Sequence, residues 1–243
     1  MPHPFLSLVI PAYNEERRLP HTLEQVAHFL LSQTYSWEVI VVDNASVDKT
    51  PDIIRSYAQK HPGIRGLNEN RRGKGIAVKS GMLEAQGDYR FMCDADLSMP
   101  ITELNRFLPP QLENFDLVIA SREAPGAIRY NEPIYRHLGG RFINTMIRSL
   151  ILPGLQDTQC GFKCFSALVA EDLFHHQTFS GWSFDIEIIA ISRLRGYKIL
   201  EIPIPWYFNP ETKLSAFQDA VQMFLDVLTI RRNMKKGLYG PQN

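Results

Sequence analysis

Two aspartates separated by one residue, Asp94-Ala95-Asp96, are the strongest candidates in the sequence for a chemical role. Two carboxylates at this spacing can hold a divalent cation, because Mg²⁺ and Mn²⁺ prefer hard oxygen ligands and often keep substrate phosphates in their coordination shell. A cation held there would act as a Lewis acid on a departing diphosphate. The tripeptide also has a structural interpretation, because aspartate is common in turns, where it hydrogen-bonds locally.

Polar residues follow two further apolar runs. Pro11-Ala12-Tyr13-Asn14-Glu15 comes after the first, and a tyrosine ring there can pack on a nucleobase. Glu15 has an alternative role in supporting the N-terminus of the next helix. Asp43 ends the second run and can accept hydrogen bonds from a base or ribose, or else form a local turn.

A basic turn, Asn70-Arg71-Arg72-Gly73-Lys74-Gly75, opens a predicted helix. Backbone N–H groups and the Lys74 ammonium can approach a phosphate there, because helix N-termini attract anions. The turn lacks the spacing of a Walker motif, which argues against an ATPase.

The elements around these residues alternate between strand and helix. The predicted strands are Leu6–Pro11, Trp37–Val42, 65–68, Tyr89–Cys93 and Asp116–Ala120. The predicted helices are Pro20–Gln33, a helix capped by Thr50 that runs to Lys60, and Gly75–Gln86. This alternation predicts an α/β fold with a mostly parallel sheet and helices on both faces. Ligands of such sheets bind outside the carboxyl ends of the strands, so the polar strand ends should share one crevice.

The second half is predicted to be more helical. Arg141–Leu152 has apolar residues at helical spacing and is followed by a loop, Pro153–Gly161. A helix through Asp185–Arg195, a strand at Lys198–Ile204 and a final helix from about Ser215 to Lys236 complete the pattern.

Composition excludes several classes of function. The 243 residues contain 26 basic and 26 acidic side chains, so long-range attraction of a nucleic acid has no support. Three cysteines without a metal-binding spacing predict reduced thiols that pack in a cytosolic protein. We find no signal peptide and no window near the ~20 apolar residues that cross a bilayer.

The motifs together resemble family-2 glycosyltransferases of the GT-A fold. The segments that carry this resemblance are IPAYNEE (10–16), EVIVVDNAS (38–46), NRRGKGIAVKSG (70–81) and CDAD (93–96). Later segments resemble the dolichyl-phosphate β-glucosyltransferase branch, which is related to the polyprenyl-phosphate mannose synthases: DTQCGFK (157–163), WSFDIE (182–187), IPW (204–206) and TKL (212–214). The resemblance runs from about Leu6 to Arg232.

This resemblance implies a site for a nucleotide sugar. Its nucleotide-binding residues would be Pro11, Ala12, Tyr13, Glu15, Asp43, Lys74, Asp94 and Ala95. Asp96 would be the principal ligand of Mg²⁺ or Mn²⁺, with Asp94 beside it. Ser98 stands where some relatives supply a further ligand, a departure that argues for water in place of a direct third protein ligand.

The resemblance also implies catalytic residues around the acceptor. Arg122 and Arg136 match positions that hold phosphate groups of the donor or the acceptor, and Lys213 matches a lysine on a loop that closes over the site. Asp157 would orient the acceptor or leaving group, or cap its own loop. Asp185 and Glu187 lie where other members place a base for a sugar hydroxyl, which an acceptor phosphate would not need.

We therefore predict one GT-A domain over 1–243, with a nucleotide-sugar half (1–123), an acceptor half (124–214) and a C-terminal helix with a basic tail (215–243). The predicted reaction is inverting transfer of glucose from UDP-glucose to a polyprenyl phosphate of the dolichyl type. Transfer of mannose or GlcNAc, transfer to a saccharide hydroxyl, and non-catalytic binding of a nucleotide sugar stay open as alternatives.

A lipid acceptor requires contact with a membrane surface. The amphipathic Arg141–Leu152 and the apolar face of the final helix, through Phe217, Val221, Phe224, Leu225 and Leu228, suit such contact. We expect a peripheral protein on the cytoplasmic face of a membrane. The alternative is that these helices pack on the sheet or form a homodimer interface.

Overall fold

A central β-sheet organises the computed structural model, which describes residues 3–209 and 216–240. In this part of the chain the strands are β1 (Leu6–Ala12), β2 (Trp37–Asp43), β3 (Ile64–Asn68), β4 (Tyr89–Cys93), β5 (Leu117–Ser121), β6 (Ile128–Tyr130), β7 (Phe162–Ser166), β8 (Ile199–Pro203) and β9 (Pro205–Tyr207). The α-helices are α1 (Leu19–Leu31), α2 (Thr50–Lys60), α3 (Lys74–Glu84), α4 (Ile134–Leu150), α5 (Ala167–His176), α6 (Phe184–Leu194) and α7 (Ala216–Lys235). A 3₁₀ helix spans Ile101–Phe107.

The main sheet has seven strands in the order β3-β2-β1-β4-β7-β5-β8. Strand β7 runs antiparallel to both of its neighbours, whereas the other pairings in the sheet are parallel. The predicted α/β fold with a mostly parallel sheet is confirmed. The carboxyl ends of β1, β2, β4 and β5 therefore lie at one edge, and the antiparallel β7 begins at that same edge.

Apolar side chains cover both faces of this sheet. Along β1, Val9 packs with α3, α5 and α6 on one face, whereas Leu8 and Ile10 pack with α1 and the 3₁₀ helix on the other. This alternation follows from the two-residue period of a strand. Burial on both faces explains why the strands read as nearly continuous apolar runs.

Three local predictions need correction. Strand β7 and helix α5 follow the predicted loop, and the sequence pattern gave no indication of either. Helix α4 begins at Ile134, seven residues before the predicted start at Arg141. Thr50 is the first residue of α2 and does not cap it with its side chain. Its hydroxyl instead accepts a hydrogen bond from the backbone N–H of Glu15, and Asp48 accepts the N–H of Thr50.

The apolar face of α4 was a candidate for membrane contact, and this prediction is wrong for most of that face. Ile147 is fully buried, and Ile143, Met146 and Leu150 pack against the core. The alternative that this helix packs on the body of the protein is therefore correct. Within the described residues, no helix is both long and apolar enough to span a membrane.

Helix α7 has two apolar faces, of which the sequence pattern identified one. Met223, Val227 and Ile230 are buried in the core. The predicted face lies outward, and its described members are 41–51% exposed: Val221, Phe224, Leu225 and Leu228. Phe217, the fifth residue of that prediction, has a side chain outside the described part.

Candidate active site

A cavity of about 780 Å³ opens at the carboxyl edge of the sheet. This volume is in the range of small-molecule binding sites. Most of the predicted site residues line it: Pro11, Ala12, Tyr13, Glu15, Lys74, Asp94, Ala95, Asp96, Ser98, Arg122 and Asp157. The convergence of separate strand ends on one crevice follows from the sheet order, because β1 lies between β2 and β4.

Asp94 and Asp96 form the acidic centre of this cavity. The turn after β4 places Leu97 at a positive φ of 46°, and the backbone N–H of Ser98 donates to Asp96 Oδ1 at 3.0 Å. Burial, together with the nearby Asp94, raises the pKa of Asp96. Two close carboxylates that repel each other in a partly buried site favour a bound cation, which relieves the repulsion.

The donor set fits Mg²⁺ or Mn²⁺ with few protein ligands. Both carboxylates supply the hard oxygens that these ions prefer. Among the described residues, no group of three or more His, Cys, Asp or Glu side chains is arranged to hold a metal. Coordination of an ion at Asp96 by substrate phosphates and water, without Ser98 as a direct ligand, stays a prediction.

The segment before β7 packs directly against Asp94. A Cβ on Gly161 would lie 1.9 Å from Asp94 Oδ2, so a residue without a side chain is required at this position. Lys163 is buried and does not line the cavity, but its Nζ donates to Cys160 O at 2.6 Å and to Asp185 Oδ1 at 2.5 Å, and both of these residues do line it. Cys93 in β4, Cys164 in β7 and Cys160, which precedes β7, are buried free thiols, which agrees with a packing role.

Lys74 provides the nearest positive charge to the acidic pair. Its Nζ lies 2.6 Å from Asp94 Oδ1 and 5.1 Å from the centre of the Trp182 ring. Burial lowers the pKa of Lys74, but the carboxylates of Asp94 and Asp185 outweigh this effect, and the net shift is upward. The ammonium therefore stays charged beside the position where a diphosphate would bind.

Asn44, a polar residue that follows β2, lines the cavity and positions the basic turn. Its Nδ2 donates to Arg71 O at 2.6 Å, and its Oδ1 accepts the backbone N–H of Gly73 at 2.8 Å. The guanidinium of Arg72 consequently lies 5.1 Å from the centre of the Tyr13 ring. The only signal for Asn44 was its place beside Asp43 at a strand end.

Asp43 and Glu15 have structural partners. Asp43 does not line the cavity, and its Oδ1 accepts the backbone N–H of Ser46 at 3.2 Å, as in the turn interpretation. Glu15 lines the cavity, but both of its oxygens hold the Arg18 guanidinium at 2.7 Å. Arg18 also lines the cavity and lowers the pKa of Asp96, although burial has the larger, opposite effect. The sequence analysis missed Arg18.

Arg122 and Asp157 form an ion pair in the wall of the cavity. Asp157 Oδ2 accepts Arg122 Nε at 2.6 Å, and Oδ1 accepts Nη2 at 3.0 Å. Glu201 on β8 fixes Asp157 in turn, by accepting its backbone N–H at 2.7 Å. Asp157 is therefore an orienting residue for Arg122, and Glu201 supports both.

A second arginine shares the aromatic surface of this region. Arg122 and Arg129 lie 5.7 and 5.4 Å from the centre of the Trp206 ring. Arg129 also pairs with Glu123 and Glu132. Sequence reasoning missed Arg129, whose place follows from β6 pairing with β9.

The two carboxylates considered as bases differ in their surroundings. Asp185 lines the cavity and pairs with Lys163. Burial raises the pKa of Asp185, in opposition to Lys163 and Lys74. Glu187 is fully buried, lies outside the cavity lining and accepts hydrogen bonds from Thr178, Phe179 and Tyr239. Glu187 is therefore excluded as a base by its position.

Two predicted residues have no described side chain. Arg136 lies in α4, and only its backbone is described. Lys213 lies outside the described residues. Their assignment to phosphate contact and to a closing loop stays a prediction.

The sheet order, the cavity at the strand ends and the paired aspartates define an α/β protein of the GT-A type. The chain belongs to glycosyl transferase family 2, whose profile matches residues 7–174, and it is therefore a glycosyltransferase.

Curated relatives match almost the whole chain. A dolichyl-phosphate beta-glucosyltransferase of Trichomonas vaginalis is 32% identical over 248 residues, which cover 97% of this chain and 73% of the relative. The dolichyl-phosphate beta-glucosyltransferase of Dictyostelium discoideum is also 32% identical and covers 97% of this chain and 76% of the relative.

A solved structure confirms the GT-A fold. Glucosyl-3-phosphoglycerate synthase from Mycobacterium tuberculosis aligns with a TM-score of 0.68 over 94% of this chain and 81% of that chain, at 18% identity. The same enzyme in complex with Mn²⁺ and UDP-glucose aligns with a TM-score of 0.66, over 94% of this chain and 79% of that chain, also at 18% identity.

The Arg122–Asp157 pair should make stability depend on pH in the acid range. Burial raises the pKa of Asp157, but Arg122 outweighs it and brings the pKa down to about 2, compared with about 4 in an unfolded chain. A lowered pKa adds stability that is present above pH 4 and lost as the pH falls toward 2, here roughly 2 kcal/mol. Asp157→Asn should therefore be less stable than wild type at pH 7, and the difference in unfolding free energy between the two proteins should narrow below pH 4.

Urea unfolding of both proteins at pH 7, 5, 4 and 3 measures this difference. A difference in unfolding free energy that stays the same from pH 7 to pH 3 would contradict the assignment of the ion pair.

Proposed function

We propose that this glycosyltransferase transfers glucose from UDP-glucose to a polyprenyl phosphate of the dolichyl type, with inversion at the anomeric carbon. The observation that carries the proposal is the meeting of Asp94, Asp96 and Lys74 with the Arg122–Asp157 pair in one cavity. The names of the matching relatives support the donor sugar and the lipid phosphate. We assign 1–123 to the donor, 124–214 to the acceptor and 215–243 to membrane contact.

The proposed cofactor is Mg²⁺ or Mn²⁺, held mainly by Asp96 with Asp94 beside it. Bound there, the ion supplies Lewis-acid stabilisation of the leaving diphosphate. The fit of the two carboxylates to a hard cation supports this role. The structural neighbour crystallised with Mn²⁺ and UDP-glucose makes Mn²⁺ the first ion to test.

Lys74 and Arg122 would bind the two phosphate groups that take part in transfer. Lys74 would contact the UDP diphosphate, whereas Arg122, which lies at the boundary between the donor and acceptor parts, would hold the acceptor phosphate near the sugar. An acceptor oxygen then attacks the anomeric carbon as the bond from that carbon to the UDP oxygen breaks. Fixed positive groups stabilise the charge that moves to UDP, and orientation supplies much of the remaining rate.

Asp96→Ala should lose the catalytic activity while the fold is retained. We expect a fall in turnover of at least about 100-fold, because a charge-stabilising contact in the transition state is removed. The assay is UDP release from UDP-glucose, with and without a short polyprenyl phosphate, in Mn²⁺ or Mg²⁺. Asp88→Ala is the matched control, because Asp88 is exposed and precedes β4 at the opposite edge of the sheet.

Binding and turnover measurements together separate the alternative donors from one another and an enzyme from a non-catalytic binding protein. Thermal shift with UDP against GDP, followed by UDP-GlcNAc and GDP-mannose as donors, identifies base and sugar. UDP-glucose binding without UDP release from the wild-type protein would support a nucleotide-sugar-binding protein instead. Wild-type-like turnover by Asp96→Ala would contradict the metal-binding role.

A saccharide hydroxyl is the second candidate acceptor, and Asp185 is the observation that favours it. Its carboxylate faces the cavity, where it can take a proton from a hydroxyl. A phosphate acceptor is already anionic at neutral pH and needs no base. A saccharide acceptor therefore requires the charged carboxylate of Asp185 for proton transfer, whereas a phosphate acceptor does not.

Asp185→Asn tests this difference. With a polyprenyl phosphate acceptor we expect a fall in turnover of less than about 10-fold, since a missing general base costs about 10²–10⁴-fold. Turnover is measured with both acceptor classes, and circular dichroism checks the fold because Lys163 loses its partner. A fall of about 1000-fold with the lipid phosphate would argue for a proton-transfer role and against our mechanism.

We further propose that α7 contacts the anionic surface on the cytoplasmic face of a membrane. The outward apolar residues on α7 lie beside the exposed Arg231, Arg232, Lys235 and Lys236. Basic side chains add about 1 kcal/mol each near anionic headgroups. Met223 of the same helix lines the cavity, so a bilayer on α7 would bring lipid phosphates close to the site.

Phe224→Glu combined with Leu228→Glu should weaken binding to phosphatidylserine vesicles by at least about 10-fold, because carboxylates replace apolar side chains that would insert into the bilayer. Leu31→Glu with Leu168→Glu is the matched control, since these exposed leucines lie on other helices. Vesicle co-sedimentation measures binding, and analytical ultracentrifugation tests the alternative of a homodimer. Equal binding by both double variants would contradict contact through α7.

A further inference from the structure

The segment 177–183 holds the start of α3, and with it Lys74, from one side. Gln177 Nε2 donates to Gly75 O at 2.9 Å, and the backbone N–H of Ile76 donates to Ser180 O at 3.1 Å. The packing leaves no room for side chains on either side of Lys74. A Cβ on Gly73 would lie 2.3 Å from Ser180 O, and one on Gly75 would lie 2.7 Å from Phe179 O.

Glu187 fixes this segment from within the core. The carboxylate is fully buried, and its Oε2 accepts the backbone N–H groups of Thr178 and Phe179, both at 2.9 Å. Its Oε1 accepts the hydroxyl groups of Thr178 and Tyr239. Removal of one donor would leave a buried charge with fewer partners, which carries a high free-energy cost.

Tyr239 reaches Glu187 from the tail that follows α7. Gly237 has a φ of 71°, and the N–H of Leu238 donates to Asn233 O at 3.1 Å, so the chain turns back on the helix. The Tyr239 side chain is 1% exposed, and its hydroxyl donates to Glu187 Oε1 at 2.8 Å. Asn233 Nδ2 donates to the same hydroxyl at 3.1 Å, which fixes its orientation.

Helix α7 contacts the segment at a second point. Ser183 Oγ donates to Asp226 Oδ2 at 2.6 Å. The C-terminal helix and its tail thus hold both ends of a segment whose middle lies against Gly73, Gly75 and Lys74.

We infer that Glu187 and Tyr239 are positioning residues for Lys74, and that they act through segment 177–183. This inference rests on the proposed function, in which Lys74 binds the diphosphate of the donor. Neither residue touches the cavity. Their contribution is to keep the Lys74 ammonium at the distance from Asp94 that a diphosphate requires.

Tyr239→Phe removes the hydroxyl and keeps the ring in the core. We expect the Kd for UDP to rise by about 3- to 10-fold, which corresponds to one lost hydrogen bond. The Kd for uridine, which has no phosphate, should not change. Isothermal titration with UDP and NMR titration with uridine measure the two constants. If the Tyr239 hydroxyl had a purely structural role, its loss would weaken the binding of UDP and uridine equally, or would change neither.

Tyr35→Phe is the matched control. Its hydroxyl donates to Asn105 Oδ1 at 2.7 Å, and its ring packs on the opposite face of the sheet from Tyr239. Both Kd values should stay at the wild-type level. Thr178→Val provides a second variant, because it removes another donor to Glu187 and should also weaken UDP selectively.

A double-mutant cycle with Lys74→Met tests the path of the effect. In the Lys74→Met background, Tyr239→Phe should cause no further loss of UDP binding, because the two changes remove the same contact. Additive losses would overturn the inference, as would an unchanged ratio of UDP to uridine Kd in both Tyr239→Phe and Thr178→Val. Wild-type protein that binds no UDP would instead contradict the proposed function.

Discussion

The burial of two neighbouring carboxylates, Asp94 and Asp96, is the electrostatic constraint on which the rest of the site depends. Negative charge in a partly desolvated cavity must be compensated, because its cost without a partner is several kcal/mol. Lys74 compensates Asp94 at 2.6 Å, whereas burial and Asp94 leave Asp96 with a raised pKa. This imbalance favours a divalent cation at Asp96, and a cation there favours a ligand that brings phosphate oxygens.

Carboxylate and amide side chains of neighbouring elements hold the positive groups that face this centre. Asn44 fixes the turn before Lys74, Glu187 fixes the segment behind it, and Glu201 fixes Asp157, which orients Arg122. Asn44, Glu187 and Glu201 each bind backbone groups of the segment that they fix. The cationic side chains are therefore placed by rigid elements, and little reorganisation is needed when charge develops in a transition state.

Sequence reasoning identified the strands that end at the cavity, because a buried parallel strand reads as an apolar run that stops at a polar residue. Sequence reasoning failed where a polar residue interrupts the apolar pattern of a strand. In strand β7, Phe162–Ser166, the buried Lys163 breaks the apolar pattern. The contacts of Asn44 and the role of Glu201 were not predicted, because both residues bind distant backbone groups, which local spacing does not encode. Only the fold shows that Asp185 lines the cavity whereas Glu187 lies in the core, since both residues are at the start of α6 in the sequence.

The most direct test of this account is a crystal structure of the protein with UDP and Mn²⁺, in which anomalous scattering locates the ion. We expect Mn²⁺ bound to the Asp96 carboxylate and to diphosphate oxygens, with uridine near Tyr13 and the Lys74 ammonium in contact with the diphosphate. A nucleotide bound outside the cavity, or an ion that has no contact with Asp96, would contradict the account.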